Sequence, residues 1–334
     1  MKIKRKIYEK LIEWKNSSNG TKALLIEGAR RIGKSTIAEE FGKNEYKSYI
    51  MIDFNKASKK ILDSFDDLVN LDIFFQTLSL EYNKRLYRRE SLIIFDEIQK
   101  FPKAREAIKY LVADGRYDFI ETGSLISIRE NVENITIPSE ERKLKMYPVD
   151  FEEFAMYLGE ELLLEYIKKC YEEKVPLERK MHEKAMHLFK EYMLVGGMPQ
   201  AVVAFAENEI MDQQLYKLIM NDKLSLNEGM IYENAISQII ASKGKKLYFY
   251  TRYSEEKHRN DIEIDFLLSN ESKMNFKVFP VEVKSSKNYT ATSLIRFKES
   301  FSKRIDLSYI VHPKNFIIDN EIIKIPPYMF SVSI

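Results

Sequence analysis

The stretch ALLIEGARRIGKSTIAEEF, residues 23–41, joins an apolar run to a helix-forming segment through a loop bounded by two glycines. Gly28, Gly33, Lys34 and Ser35 have the spacing of a phosphate-binding P-loop. The glycines allow a tight turn whose N–H groups point inward, and a helix that begins at Lys34 favours an anion at its N-terminus. The alternative is a chance glycine-rich turn. The strand–loop–helix order favours the phosphate site, and with it a parallel α/β fold.

Each position of this loop has an expected role. Lys34 would reach the β- and γ-phosphates of a nucleotide, and the Ser35 hydroxyl would ligate Mg²⁺. The predicted nucleotide-binding residues are Gly28, Ala29, Arg30, Arg31, Ile32, Gly33, Lys34, Ser35 and Thr36.

A second apolar run, SLIIFDE at 91–97, ends in two carboxylates. Asp96 would hold the magnesium ion, and Glu97 would polarise the attacking water. The alternative is an acidic pair at a helix start, which is also favourable there. A third run, YDFIETGS, places Thr122 and Ser124 at a strand end, where a hydroxyl could sense the γ-phosphate or simply belong to a turn.

The composition is that of a globular protein of about two domains. Of the 334 residues, 45% are hydrophobic and 31% are charged, and the net charge of +2 does not by itself indicate a nucleic-acid partner. A single cysteine, Cys170, fits a reducing compartment. We find no signal peptide and no apolar run of spanning length, so we expect a cytoplasmic protein without a membrane partner.

The chain changes character twice. Apolar strands alternate with helices up to about residue 148, helices dominate from 149 to 225, and strands return in the last third. We therefore predict a P-loop domain over 1–148, a helical lid or linker over 149–225 and a small α/β domain over 226–334.

The order of GARRIGKST, IIFDEIQ, ETGS, YPVDFEEF and YMLVGGMPQAV resembles the prokaryotic predicted ATPases of the AAA+ superfamily, and IKIPPYMF matches their pattern near the C-terminus. The resemblance implies ATP and Mg²⁺ as ligands, and a C-terminal domain with a restriction-nuclease-like fold of uncertain function. Two departures stand out. Arg142 follows Glu141 instead of the usual glycine, so it is one candidate arginine finger beside Arg30, Arg31 and Arg129. The winged-helix segment expected before the C-terminal domain has no counterpart, so DNA binding by that segment is not implied.

The stretch PVEVKSSK at 280–287 places Glu282 and Lys284 on the strand face that its valines avoid. Nucleases of the PD-(D/E)xK type pair such a Glu-x-Lys with an aspartate on the preceding strand, and their carboxylates hold divalent metal. Here Asp265 would be that aspartate, on the face opposite Ile262, Ile264 and Phe266. The predicted catalytic residues of this domain are Glu233, Asp265, Glu282 and Lys284, with Asp265 and Glu282 as ligands of Mg²⁺ or Mn²⁺. The alternative is a solvated strand face without catalysis.

A basic, aromatic stretch, SKGKKLYFYTRY, lies near this site. Its lysines and Arg252 could neutralise phosphates, and Tyr248, Phe249 or Tyr250 could lie against bases; a solvated hairpin with buried aromatic rings is the alternative. We expect an ATPase whose C-terminal domain acts on or binds DNA. The second hypothesis is an ATP-operated switch that recruits a protein partner through an inert C-terminal domain. The sequence does not decide whether the protein forms a homo-oligomer.

Overall fold

The computed structural model describes residues 2–124, 140–207, 228–256, 258–269 and 277–334. The chain divides into two compact units, Arg5–Pro148, and Val149–Ile334 together with the N-terminal residues up to Lys4. The predicted boundary at 225/226 falls outside the described residues, so the three-domain division stays a prediction. Within the described ranges, no helix is long and apolar enough to cross a membrane.

The first unit is built on a five-stranded parallel sheet in the order β2-β3-β4-β1-β5. Strands β3 and β4 are buried along their whole length, because helices cover both faces of a parallel sheet. Alternate residues of each strand pack into two separate apolar clusters, one on each face of the sheet. The strands are β1 (Ala23–Gly28), β2 (Ser48–Asp53), β3 (Ser91–Asp96), β4 (Asp118–Ser124) and β5 (Glu141–Lys145). The helices are α1 (Ile7–Ser18), α2 (Lys34–Glu45), α3 (Lys59–Ser64), α4 (Leu71–Glu81) and α5 (Pro102–Asp114).

The second unit begins with helices. The first starts at a capping box, in which Asp150 accepts from the backbone N–H of Glu153 and the Glu153 carboxylate accepts from that of Asp150. The helices are α6 (Phe151–Tyr157), α7 (Glu161–Glu172), α8 (Arg179–Val195), α9 (Pro199–Ala206) and α10 (Glu228–Ser242).

A six-stranded mixed sheet follows, in the order β10-β11-β9-β8-β7-β6. β6, β7 and β8 are antiparallel, whereas β8, β9 and β11 run parallel, with a crossover helix between β8 and β9. Apolar clusters lie on both faces of this sheet. Its elements are β6 (Tyr248–Ser254), β7 (Arg259–Ser269), β8 (Val278–Val283), α11 (Thr292–Phe301), β9 (Ser308–Val311), β10 (Ile317–Asp319), β11 (Ile322–Ile325) and α12 (Pro327–Ser333).

This architecture confirms the predicted fold class, a P-loop parallel sheet followed by a second α/β sheet domain. β10 and β11 were not predicted. Both strands are short, with three and four residues, and such lengths carry little periodicity.

Candidate functional site

The phosphate loop lies between the end of β1 at Gly28 and the start of α2 at Lys34. Gly33 has φ 93°, a left-handed conformation that glycine adopts without strain. A Cβ atom on Gly28 would lie 2.3 Å from the carbonyl oxygen of Met146, so only glycine fits there. The two glycines that define the motif are thus each required by the backbone.

Lys34 is buried beneath this loop. Its Nζ donates to the carbonyl oxygens of Gly28 at 3.1 Å and Ala29 at 2.7 Å. Burial lowers the Lys34 pKa, while the charges of Glu97 and Asp96 oppose that shift. The ammonium group is therefore held inside the loop, where phosphate oxygens would be stronger acceptors than carbonyls.

Asp96 is the hydrogen-bond centre of the site. Its Oδ1 accepts from the Ser35 hydroxyl at 2.6 Å and from the Thr122 hydroxyl, which reaches it from the neighbouring parallel strand. Burial raises the Asp96 pKa, and these two hydrogen bonds oppose the shift. The oxygens of Ser35 and Asp96 are the hard ligands that Mg²⁺ prefers, so this set fits the predicted ion.

Glu97 adopts φ 56° and ψ 48°, a conformation that is costly for a residue with a side chain. Its backbone N–H donates to the Thr122 hydroxyl at 3.2 Å, and its carboxylate accepts from the Gln99 side-chain amide. Gln99 was not predicted, although the stretch DEIQ places it two residues after Glu97 in the same tight turn. Ser124, the other predicted sensor, is buried at the end of β4 as the register partner of Gly28.

The candidate arginine fingers lie in three different places. Arg142 is the register partner of Leu24, four residues before Gly28, which is about 13 Å along the strand. It donates to the Ser17 hydroxyl at 3.4 Å, so the structure does not bring it to the phosphate loop of its own chain. Arg30 and Arg31 are exposed on the loop itself, and Arg129 lies outside the described residues.

A second group of charges, also missed by sequence analysis, lies on the α5 face of this sheet. Arg105 donates two hydrogen bonds of 3.0 Å to Glu141, and both side chains are buried. Glu121 is fully buried beside them, and neither of its carboxylate oxygens has a hydrogen-bond partner among the described residues. Burial raises the Glu121 pKa well above its ordinary value, with the charge of Glu141 adding to the shift. The surroundings of Glu121 thus favour its uncharged form.

The second candidate site lies at the end of the β7–β8 ladder, next to the pair Phe266↔Val281. In the same segment the register of β7 against β6 shifts between Tyr250↔Ile264 and Tyr248↔Leu267, so β7 carries one extra residue beside Asp265. The prediction that Phe266 shares a face with Ile262 and Ile264 is wrong, because this bulge turns it to the other cluster. The Asp265 carboxylate instead accepts from the backbone N–H of Val283 at 2.6 Å.

Glu282 and Lys284 form an ion pair of 2.8 Å. Glu282 is buried, and its Oε2 atom has no hydrogen-bond partner within the described ranges. Burial raises the Glu282 pKa, and Lys284 opposes the shift. A buried oxygen without a partner is costly and often marks a site that binds something else.

Glu233 on α10 completes this group. Burial raises the pKa values of Glu233 and Asp265, and the charge of Glu263 raises both further. Lys284 lowers both pKa values. The structure thus brings the predicted residues together. In the described part of the chain, however, no three carboxylate, histidine or cysteine side chains have metal-binding geometry.

Tyr289 and His312 lie next to this group, and sequence analysis missed them as well. The Tyr289 hydroxyl is 3.1 Å from Nδ1 of His312, whose buried Nε2 has no hydrogen-bond partner among the residues that the structure describes. Burial, with Lys314 and Lys324, lowers the His312 pKa to about 4. The ring is therefore neutral at physiological pH. Its position beside Lys284 depends on strand pairing that no local pattern reveals.

Comparison with known proteins gives two family matches and a group of distant folds. Residues 20–155 match the family described as AAA domain, and residues 228–328 match Domain of unknown function (DUF4143). The Thermotoga maritima RuvB Holliday junction branch migration motor is similar with 12% identity and a TM-score of 0.37, covering 74% of this chain and 79% of that one. C. elegans PCH-2 is similar with 13% identity and a TM-score of 0.34, covering 66% and 68%. No curated protein matches the sequence. The residues that match an AAA domain, 20–155, thus contain the phosphate loop and Asp96.

Proposed function

We propose that this protein binds and hydrolyses ATP with Mg²⁺, and that its C-terminal domain acts on or binds DNA. The observation that carries the first part is the hydrogen-bond centre at Asp96, which joins the phosphate loop through Ser35 to the neighbouring strand through Thr122. Bound magnesium would neutralise phosphate charge in this site.

The residues of the chain have distinct roles in this proposal. Lys34 would exchange its carbonyl acceptors on Gly28 and Ala29 for phosphate oxygens, while Ser35 and Asp96 would hold the ion. Glu97 would accept a proton from the attacking water at its carboxylate, once that carboxylate leaves the Gln99 amide. The backbone bond to Thr122 keeps Glu97 beside Asp96.

Replacing Lys34 tests the ATPase. Lys34→Ala should abolish measurable phosphate release and weaken binding of a fluorescent ATP analogue, because no other buried ammonium group lies in the loop. Lys43→Ala is the matched control, since Lys43 lies on the same helix in an exposed ion pair with Glu39. Equal phosphate release by both variants would contradict the proposal.

The proposal for the C-terminal domain rests on the Asp265 bulge and on the unpartnered oxygen of Glu282. Together with Lys284 they have the residue types of a metal-dependent nuclease. Plasmid, linear duplex and single-stranded DNA would be incubated with the protein in Mg²⁺ or Mn²⁺, with and without ATP. Cutting should be lost in Lys284→Ala and Asp265→Asn and kept in Lys303→Ala, an exposed lysine of the same unit.

The second candidate function is an ATP-operated switch that recruits a protein partner. The observation that favours it is the Glu282–Lys284 ion pair, which neutralises a predicted metal ligand. If wild-type protein hydrolyses ATP but cuts none of the three DNA forms, the switch is the better account.

A further inference from the structure

Strand β6 presents aromatic side chains on a face that the sheet leaves open. It is the last strand of its sheet. Tyr250 points inward, with its ring 5.1 Å from that of Phe297 and 5.6 Å from that of Phe301. Its neighbour Phe249 points the other way and is 74% exposed, and Tyr253 is 59% exposed. The idea that Tyr250 could lie against bases is thus wrong, whereas Phe249 and Tyr253 are available.

This open face adjoins the acidic site. Thr251, which lies between Phe249 and Tyr253, is the direct register partner of Glu263 on β7. Directly paired residues point to the same face of an antiparallel sheet. The charge of Glu263 raises the pKa values of Glu233 and Asp265. The two aromatic rings therefore flank the side of the sheet that leads to the proposed nuclease-like residues.

The charge of this segment is entirely positive. Every charged residue between positions 243 and 254 is a lysine or an arginine. Lys243 and Arg252 are paired with Glu152 and Asp261. Lys245 and Lys246 have no ion pair among the residues that the structure describes. Two unpaired lysines beside exposed aromatic rings complement a chain of phosphates and bases.

We propose that Phe249 and Tyr253 are a stacking surface for single-stranded nucleic acid, which they direct to the Glu233–Asp265 site. Stacking requires free base faces, which a single strand offers and an intact duplex hides. The inference rests on the proposed action on nucleic acid and specifies its substrate as unpaired strand. Lys245 and Lys246 hold the backbone beside the rings.

The test is the binding of a fluorescein-labelled dT 20-mer and of a duplex of equal length to the full chain, in EDTA so that nothing is cut. Wild type should bind the single strand more tightly. Phe249→Ala and Tyr253→Ala should each weaken that binding at least about fivefold, the lower end of base–aromatic stacking. Phe249→Tyr and Tyr253→Phe keep an aromatic ring, so these variants should bind the dT 20-mer as tightly as the wild type does. Tyr110→Ala is the control, because Tyr110 is 60% exposed in the other unit.

Unchanged dT binding in both alanine variants would overturn the inference. Tighter binding of duplex than of single strand would overturn it too, yet leave the proposed action on DNA intact. If the wild type binds neither the single strand nor the duplex, the proposed action on DNA and the stacking surface are both contradicted. Self-association that is lost in Phe249→Ala, without binding of dT, would show instead that edge strand β6 pairs with a second copy.

Discussion

The two candidate sites of this chain differ in how complete their hydrogen bonding is. In the first unit, Asp96 accepts from Ser35 and Thr122, and Thr122 also accepts from the Glu97 backbone. In the second unit, the Oε2 atom of Glu282 is buried and has no hydrogen-bond partner in the part of the chain that the structure describes. The first site is preorganised before a ligand arrives, whereas the second carries a cost that a ligand would remove.

The difference follows from topology. In the first unit, β1, β3 and β4 are neighbouring parallel strands, so their carboxyl ends meet at one edge. In the second sheet, β7 is antiparallel to both β6 and β8, and its register against β6 shifts between Ile264 and Leu267, the segment that contains Asp265. A parallel sheet therefore assembles its site from strand ends alone, while the antiparallel pair needs a local irregularity.

Removing the Thr122 hydroxyl should have the largest effect on stability. Thr122→Val keeps the shape of the side chain but leaves the partly buried Glu97 N–H without its acceptor and Asp96 with Ser35 as its one remaining side-chain donor among the described residues. We expect a loss of about 3 kcal/mol in the free energy of unfolding. Chemical denaturation would measure it, with Thr122→Ser as the matched variant that retains the hydroxyl. A loss below about 1 kcal/mol would show that the first site is not preorganised as described.

Replacing Asp265 should have a moderate effect. Asp265→Ala leaves the Val283 N–H without its acceptor, so we expect the free energy of unfolding to fall by about 1–2 kcal/mol. Asp265→Asn keeps an acceptor oxygen, so its free energy of unfolding should fall by less. Equal losses in the two variants would mean that the carboxylate charge, and not this hydrogen bond, supports the bulge.

Glu121→Gln should raise stability at neutral pH by about 1 kcal/mol, because it removes a buried carboxyl whose folded pKa is raised. Because the fold favours the protonated carboxyl, this group contributes its full stability below the unfolded pKa of about 4.5. That contribution is lost as pH rises through the folded pKa. The advantage of the variant should therefore grow as pH increases through that window. Thermal unfolding at several pH values would measure it, and a pH-independent difference would contradict the raised pKa of Glu121.

Glu282→Gln should have the smallest effect, less than about 1 kcal/mol, because the amide keeps an oxygen that can accept from Lys284, whose partly exposed ammonium group water can also solvate. Denaturation of the variant beside Thr122→Val compares the two sites directly. A larger loss in Glu282→Gln than in Thr122→Val would reverse the comparison.

Most residues that lie together in the first candidate site could be named from the sequence, because they are contiguous or lie at the ends of apolar strands. Lys34 and Ser35 come from one loop, and Asp96 and Ser124 end strands of the same parallel sheet. The sequence did not predict Gln99 or the Glu121 group, whose meaning depends on a turn conformation and on contacts across the sheet. In the second sheet, strict alternation failed at Phe266 because a bulge leaves no mark in periodicity.

The most direct test is steady-state phosphate release from ATP by wild-type protein and Glu97→Gln, in Mg²⁺ and in EDTA. We predict Mg²⁺-dependent hydrolysis by the wild type and a rate lower by about 10²–10⁴-fold in the variant, which should still bind ATP because the phosphate loop is unchanged. Hydrolysis by Glu97→Gln at the wild-type rate would contradict the role of this site as the ATPase centre.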